Sequence, residues 1–528
     1  MASVQKSPVN RTTRPHRGQR GALLLLLAAA CLLYGARLGA TDLWAPDEPR
    51  YAAIADELRS WRHGARGLVL LHLNDVAYTQ KPPLYFWLAA AIGAPLGRVT
   101  ETAARLPSVA AALFCLVVTA WIGRRLFGRA LPALVAAGLL ATSFRFAFSA
   151  RRAQLDVLLT AFELAAIALF VLLETRRERN PAAPVPRLAV AGLHAALGAA
   201  ALVKGPVGWL PLAIFAAVLA WEGRLDRLRA LTPPWAWLLS VGPLTAWIAA
   251  AVALAPAGFA EEAVVENLVG RFFAGTSHAR PLYYYTYQLP LDFLPWSLLL
   301  PFAVPAVWRI AREAPRSGGH RTGHGAGGTH LDRFAARLLI VWIAVPFVFF
   351  SLSAGKRGLY LLPVFPALAL VGACLGRRER RPDAPGRAAL PGGDTLRRLA
   401  IAVATVAAIE AVAFLAVLPA LDDEKSPRPI AEAAAALQRG DDPIGVYGMS
   451  PLEGALAYYG AAPIASLRDE PALRAFLADG GRLVVLRARH FERLAASLDL
   501  IERRSFRSGA RRLTLAEHRG VRPRRAAP

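Results

Sequence analysis

The chain has 528 residues, 55% of them hydrophobic and 19% charged, with a mean hydropathy of +0.37; this excludes an ordinary water-surrounded globule, because lipid must absorb the apolar area. The net charge of +25 would suit nucleic acid, but the arginines lie in short tracts between apolar spans, where basic residues hold loops on the cytoplasmic side, so nucleic-acid binding is set aside. Cys31, Cys115 and Cys374 each fall inside an apolar span and form neither a disulfide framework nor a thiolate metal site.

Lys6, Arg11, Arg14, Arg17 and Arg20 precede an apolar run from Gly21 to about Leu38. No small-x-small cleavage pattern followed by a soluble domain accompanies it, so it reads as an uncleaved first transmembrane helix with residues 1–20 in the cytoplasm. Further spans are expected at about 105–123, 130–148, 155–174, 187–203, 206–221, 235–255, 292–309, 334–352, 359–375 and 398–419. That makes eleven, or thirteen if two more helices are merged in this count. The segment Pro83–Leu96 is too short to cross and suits an interfacial or re-entrant helix.

The arginines set the sides. Arg124/Arg125/Arg129, Arg176/Arg177/Arg179, Arg224/Arg227/Arg229, Arg309/Arg312/Arg316 and Arg377/Arg378/Arg380/Arg381 all fall on the N-terminal side of the membrane, as the positive-inside rule requires. The loops at 41–104 and 256–291 and the segment 420–528 are then outside. From Asp422 onward, short apolar runs at Ile444–Tyr447 and Leu483–Leu486 alternate with amphipathic stretches at Ile430–Leu437 and Pro471–Leu477, the pattern of a small soluble α/β domain. The Gly- and His-rich stretch Ser317–His330 reads as an inside loop whose His320, His324 and His330 are candidate metal ligands.

The unusual polar residues gather at outside ends of spans, and ionisable groups at membrane depth are functional candidates. Asp47 and Glu48 open an amphipathic helix running from Pro49 to about Trp61, where a carboxylate can serve chemistry or cap the helix. Lys81 precedes a Pro82-Pro83 turn and an aromatic belt; it can meet a substrate anion or snorkel to headgroups. Asp156 follows Arg151-Arg152 at the start of a span, where an unpaired carboxylate would cost a few kcal/mol, and Lys204-Gly205-Pro206 sits between two spans. Arg271, His278 and the tyrosines from Tyr283 share one outside loop, and Lys356-Arg357 with Tyr360 lies between two later spans. Placed Lys, Arg and Tyr donors suit a lipid phosphate leaving group that gains charge as its bond breaks, and a carboxylate suits orienting or deprotonating the attacking oxygen. Because these groups gather at one face, the inventory fits a transferase better than a transporter or flippase.

Several segments in order resemble the GT-C membrane glycosyltransferases, most closely the 4-amino-4-deoxy-L-arabinose lipid A transferases and related bacterial family 39 transferases. They are Pro46–Tyr51, Gln80–Trp87, Arg105–Ser108, Arg124–Gly128, Arg151–Asp156, Lys204–Pro206, His278 with its tyrosines, and Lys356–Pro366. The resemblance implies an all-α polytopic inner-membrane protein of GT-C type, a polyprenyl-phosphate sugar donor, a lipid or glycan acceptor, a periplasmic active site and inversion at the anomeric carbon. It implies Asp47 as catalytic carboxylate, with Arg50, Lys81, Lys204 and Tyr360 near donor or acceptor phosphate and Asp156 in support. Glu48, Arg271, His278 and Lys356 complete the expected substrate-binding set. In the arabinose-transferring relatives the residue before the loop lysine is typically Glu, which with a loop histidine can hold a metal; here it is Gln80, a poor zinc ligand, so no required metal is expected. A protein O-mannosyltransferase-like activity is the second enzyme reading.

Overall fold

A computed structural model describes residues 17–256, 258–259, 279–313, 329–376, 392–460, 463–509 and 511–520. The first apolar run forms α1 (Arg17–Gly35), and the long loop after it folds into α2 (Asp47–Arg59), the two-residue strands β1 (His72–Leu73) and β2 (Val76–Ala77), and α3 (Leu84–Gly93). α2 begins two residues before the expected Pro49. Asp47 is therefore in the first turn behind Pro46, and no side chain caps the helix. α3 has ten residues and continues only as a single 3-10 turn, about 20 Å in all and too short for the hydrocarbon layer.

Next come α4 (Glu101–Phe127), α5 (Ala130–Ala141), α6 (Phe144–Ala150), α7 (Leu155–Arg179), α8 (Arg187–Lys204) and α9 (Leu210–Trp221). α4 starts where the Thr100 side chain accepts from the Ala103 amide and stops at Gly128, whose φ of 64° few other residues adopt. Two expected spans are bent. α5 and α6 meet at 69°, where the Thr142 and Ser143 hydroxyls take the carbonyls of Gly138 and Leu140. The stretch at 235–255 is Pro234–Ser240 followed by α10 (Gly242–Leu254) at 52°, with Gly242-Pro243 at the break.

The apolar stretch Arg187–Trp221 folds back on itself after Lys204. Gly205 adopts φ 78°, and Gly208 lies so near Ala200 and Ala201 that a Cβ there would come within 2.5 Å of their backbone. This turn places Lys204 at the end of α8, where the 3-10 turn Gly205–Trp209 packs back on it. The helix Tyr284–Asp292 turns through 107° at Pro295 into Trp296–Arg312, and Thr329–Leu352, the 3-10 turn Gly358–Val364 with Phe365–Ala373, and Gly392–Val412 complete the bundle. One continuous apolar core joins these helices, while Leu24, Leu25, Leu238, Phe302 and Ile409 face outward, as lipid contact requires.

The C-terminal segment is a mixed α/β unit. Expected strands and helices appear at β3 (Ile444–Tyr447), β5 (Leu483–Arg487), α11 (Arg428–Leu437) and α13 (Glu470–Ala478); between them lie α12 (Ser450–Tyr459) and β4 (Ile464–Leu467), and β6 (Leu500–Ser508) and β7 (Arg511–His518) follow. The sheet order is β4-β3-β5-β7-β6, parallel across β4, β3 and β5 and antiparallel thereafter. Ile444 pairs with Leu483 and Val485 with Leu515; their side chains share one apolar cluster with α11 and α12, while Tyr447, Val484 and Leu486 face the opposite cluster with α13.

This unit is latched to the first long loop. Asp422 accepts from the Trp44 indole at 2.6 Å and the Asp42 amide at 2.9 Å, Ser426 donates to Asp42 at 2.7 Å, and the Tyr459 hydroxyl accepts from the Leu43 amide at 2.7 Å. α12 lies directly on α2, with Gly454 against the backbone of Arg50.

Candidate functional site

α2 is the organising element, because its first turn carries both acidic residues on a buried end. They have different surroundings. Glu48 is fully buried; Arg105 of α4 donates to it at 2.9 and 3.2 Å, Arg152 lies 2.9 Å away, and the amides of Ala153 and Trp44 donate at 2.8 and 3.1 Å. Burial alone would raise the Glu48 carboxyl, but Arg105 and Arg152 outweigh it and hold it below the usual range. Arg105 also donates to the carbonyls of Leu38, Thr41 and Asp42, so this cluster welds the first loop to the bundle.

Asp47 points to a different pair of cations. Its Oδ1 accepts from Arg50 at 2.5 Å and its Oδ2 from Arg357 at 2.8 Å. Burial pushes this carboxyl up, yet Arg357 and Arg50, with Lys81 adding its field, hold it below the ordinary carboxylate value. The carboxylate is ionised at neutral pH and immobilised, and it makes no cap to the helix. Arg50 also reaches Gln80 at 3.4 Å and sits over the Tyr51 ring.

A second acid–cation pair stands nearby. Asp156, in the first turn of α7, is paired with Lys204, whose ammonium lies 4.5 Å from the Tyr360 ring centroid. The field of Asp156 also reaches Arg357. Asp47, Arg50, Lys81, Asp156, Lys204 and Tyr360 thus share one neighbourhood, although they come from five chain segments.

Lys356 is turned elsewhere: it is buried and donates to the carbonyls of Arg280, at 3.1 Å, and Ser353, locking the loop. Its neighbour Arg357 supplies the cation at Asp47, an assignment that two adjacent basic residues in a loop leave open in sequence. Arg271 and His278 lie outside the described residues, as do His320 and His324; His330 opens the helix Thr329–Leu352 without a described side chain. Arg145 and Asp292, paired at 2.6 Å, went unnoticed in sequence; Asp292 packs so tightly on Gly358 that it seats the backbone next to Arg357.

Two clefts meet at this cluster. One, of about 660 Å³, has Lys81 and Lys204 at one end and Leu244, Trp247, Ile248 and Phe259 along its wall, a cationic head on an apolar slot. The other, of about 1460 Å³, lies between the first loop and the C-terminal unit and is lined by Arg50, Tyr78, Glu453, Ser466 and Arg468. Thr79 and Gln80 line both. A protein that joins two amphiphiles needs this arrangement: separate approaches that converge on one fixed charge cluster.

Residues 21–259 match the family model described as dolichyl-phosphate-mannose-protein mannosyltransferase. The chain is 30% identical over 364 residues to an undecaprenyl phosphate-alpha-4-amino-4-deoxy-L-arabinose arabinosyl transferase of Pseudomonas fluorescens, covering 68% of this chain and 56% of that one. It is 30% identical over 402 residues to the transferase of that name from Pseudomonas aeruginosa, covering 73% of this chain and 64% of the relative. The chain therefore spans less than two thirds of the length of these relatives. The crystal structure of ArnT from Cupriavidus metallidurans bound to undecaprenyl phosphate superposes with a TM-score of 0.70 at 21% identity, over 94% of this chain and 98% of that one. The archaeal oligosaccharyltransferase AglB of Archaeoglobus fulgidus superposes at 0.56 with 12% identity, over 90% and 70%. By fold, then, the chain is similar to the crystal structures of ArnT, and by sequence it is similar to the arabinosyl transferases.

Proposed function

We propose that this protein is an inner-membrane glycosyltransferase that moves a sugar from an undecaprenyl-phosphate donor to a lipid A-like or glycan acceptor at the periplasmic face. It crosses the membrane eleven to thirteen times, with its N-terminus in the cytoplasm and residues 420–528 in the periplasm. The observation that carries this reading is the immobilised Asp47 carboxylate between Arg50 and Arg357, where a cation-headed apolar cleft meets a polar one. The names of the relatives, which act with undecaprenyl phosphate, support the donor class.

In this reading the prenyl tail lies along Trp247 and Ile248, and its phosphate meets Lys81 and Lys204. The acceptor oxygen enters from the polar cleft and attacks the anomeric carbon from the face opposite the phosphate. As the carbon–oxygen bond breaks, its electron pair goes to the leaving phosphate, and Lys81, Lys204 and Arg357 offset the added charge. A carboxylate held below its normal pKa by two arginines is a weak base. Asp47 therefore serves best to hold the arginines and orient the attacking group, which favours an acceptor that is already anionic, such as a lipid phosphate, over a neutral hydroxyl.

The family-model match favours one alternative, transfer to a protein hydroxyl. Mass spectrometry of envelope lipids and of periplasmic proteins, with and without the gene, separates the two: a sugar mass added to a lipid supports the first reading, and hexosylated peptides with unchanged lipids overturn it. Asp47→Asn is expected to lower transfer ~10²-fold through lost positioning while the protein still reaches the membrane and folds; full activity in that variant would sink the role given to Asp47.

A further inference from the structure

At the far end of α2 from Asp47, a second polar cluster has no part in the chemistry above. His63 Nε2 lies 2.9 Å from Glu57 Oε1 and 3.4 Å from Asp75 Oδ1, and one ligand atom from each of the three residues falls within 4.8 Å of the others. A tetrahedral zinc shell with bonds of about 2.0–2.1 Å sets its donors roughly 3.3 Å apart, so these spacings match a set of ligands around one ion. A neutral imidazole can give its Nε2 proton to one carboxylate only, here Glu57, while Asp75 is also paired through its other oxygen with Arg62 at 3.0 Å.

His72 stands behind this group: its ring stacks on His63 with centroids 3.7 Å apart and planes 19° off parallel, so it fixes the His63 ring rather than sharing its ion. Glu57, His63 and His72 line a small cavity of about 200 Å³.

We propose that Glu57, His63 and Asp75, with His72 stacked behind His63 and water completing the shell, form a binding site for a divalent transition metal of the zinc class. The site is structural. By helix rise it lies roughly 15 Å from Asp47, too far to touch the reacting atoms. Its ligands join the end of α2 to the β1–β2 hairpin, whose turn Glu57 already holds by accepting from the Asn74 and Asp75 amides at 2.9 and 3.0 Å. Asn74 in turn bonds both ways with Ile464, donating to its carbonyl at 2.7 Å and accepting from its amide at 3.2 Å. A metal here would stiffen one wall of the polar cleft and the contact that seats the C-terminal unit on the first loop.

The test uses full-length protein in detergent, stripped with a chelator and then titrated with Co²⁺ and Zn²⁺. Wild type is expected to show visible d–d absorption of tetrahedral type with Co²⁺, abolished by an equivalent of Zn²⁺, and a melting temperature that zinc raises and Mg²⁺ does not. His63→Gln and Asp75→Asn should each weaken binding more than ~100-fold, beyond the effect of losing an outer-sphere partner. Asp75→Asn keeps the backbone amide that Glu57 holds, and Asn tolerates the φ of 60° found there, so this variant separates ligand loss from misfolding. Equal metal uptake by wild type and both variants, or no uptake by wild type at micromolar zinc, would overturn the site.

Discussion

Adjacent carboxylates on α2 are split between two tasks by which way each side chain leaves the helix. Glu48 takes four donors and sits at the junction of the first loop with the bundle, whereas Asp47 shares its two oxygens between Arg50 and Arg357 at the meeting point of two clefts. Glu48→Gln leaves Arg105 and Arg152 as buried cations without a counter-charge, and removing one partner of such a pair costs about 3–5 kcal/mol. The expected outcome is a protein that melts far below wild type in detergent or fails to accumulate, measured by thermal unfolding and membrane yield. Arg357→Gln should lower stability, because the buried Asp47 carboxylate loses one of its two cations, and raise the donor KM by roughly 10-fold or more, since a charge-assisted hydrogen bond contributes about 1.5–3 kcal/mol. Initial-rate kinetics against donor concentration checks this; an unchanged KM would remove Arg357 from the phosphate site.

Elements, rather than single residues, hold the two clefts open. α2 is pressed between the bundle and α12, and the contact is so close that a Cβ on Gly454 would stand 2.4 Å from the Arg50 Cα. Only hydrogen fits there. Gly454→Ala must push α12 away from the helix that carries Asp47, and overpacking of this sort costs about 1–3 kcal/mol. The variant should therefore lose activity and become more sensitive to proteolysis between the bundle and the C-terminal unit, while the bundle itself stays in the membrane. Limited proteolysis with an activity assay reads both; a fully active, protease-resistant variant would mean the two units can separate without consequence. The bent helices act in the same way: the turns at Gly205 and Pro295 bring span ends back to one face, where Lys204 and Arg357 are needed.

For the whole molecule, the two depressed carboxyls link folding to acid. Asp47 and Glu48 have folded pKa values below those of the unfolded chain, ~3.9 and ~4.3. Each therefore contributes stability that is fully present above the unfolded value and is lost as pH falls through the folded one. The melting temperature in detergent should be flat from neutral pH to ~5 and fall below ~4, less steeply in Asp47→Asn. A melting temperature that rises on acidification through this range would contradict the ion-pair geometry.

Much of this was legible in the chain itself. The apolar runs, the arginine tracts and the isolated charges Asp47, Lys81, Asp156 and Lys204 at their ends follow from local hydropathy and charge, because the bilayer imposes a one-dimensional constraint on sequence. β3, β5, α11 and α13 likewise showed their periods. The hairpin β6–β7 did not: its burial is irregular, with polar residues over much of β6, so pairing with a partner strand defines it more than its own pattern does. Nor could sequence divide Asp47 from Glu48, or Lys356 from Arg357. Neighbouring residues share local composition, and only the packing of α2 against α4, α12 and the Ser353–Gly358 turn decides which side chain meets solvent-filled clefts and which is sealed among carbonyls. Sequence alone determined the apolar, helical character of the chain and its candidate charges, through hydropathy; tertiary structure decided which of those charges converge, since side-chain direction in a packed bundle is a property of contacts far apart in the chain.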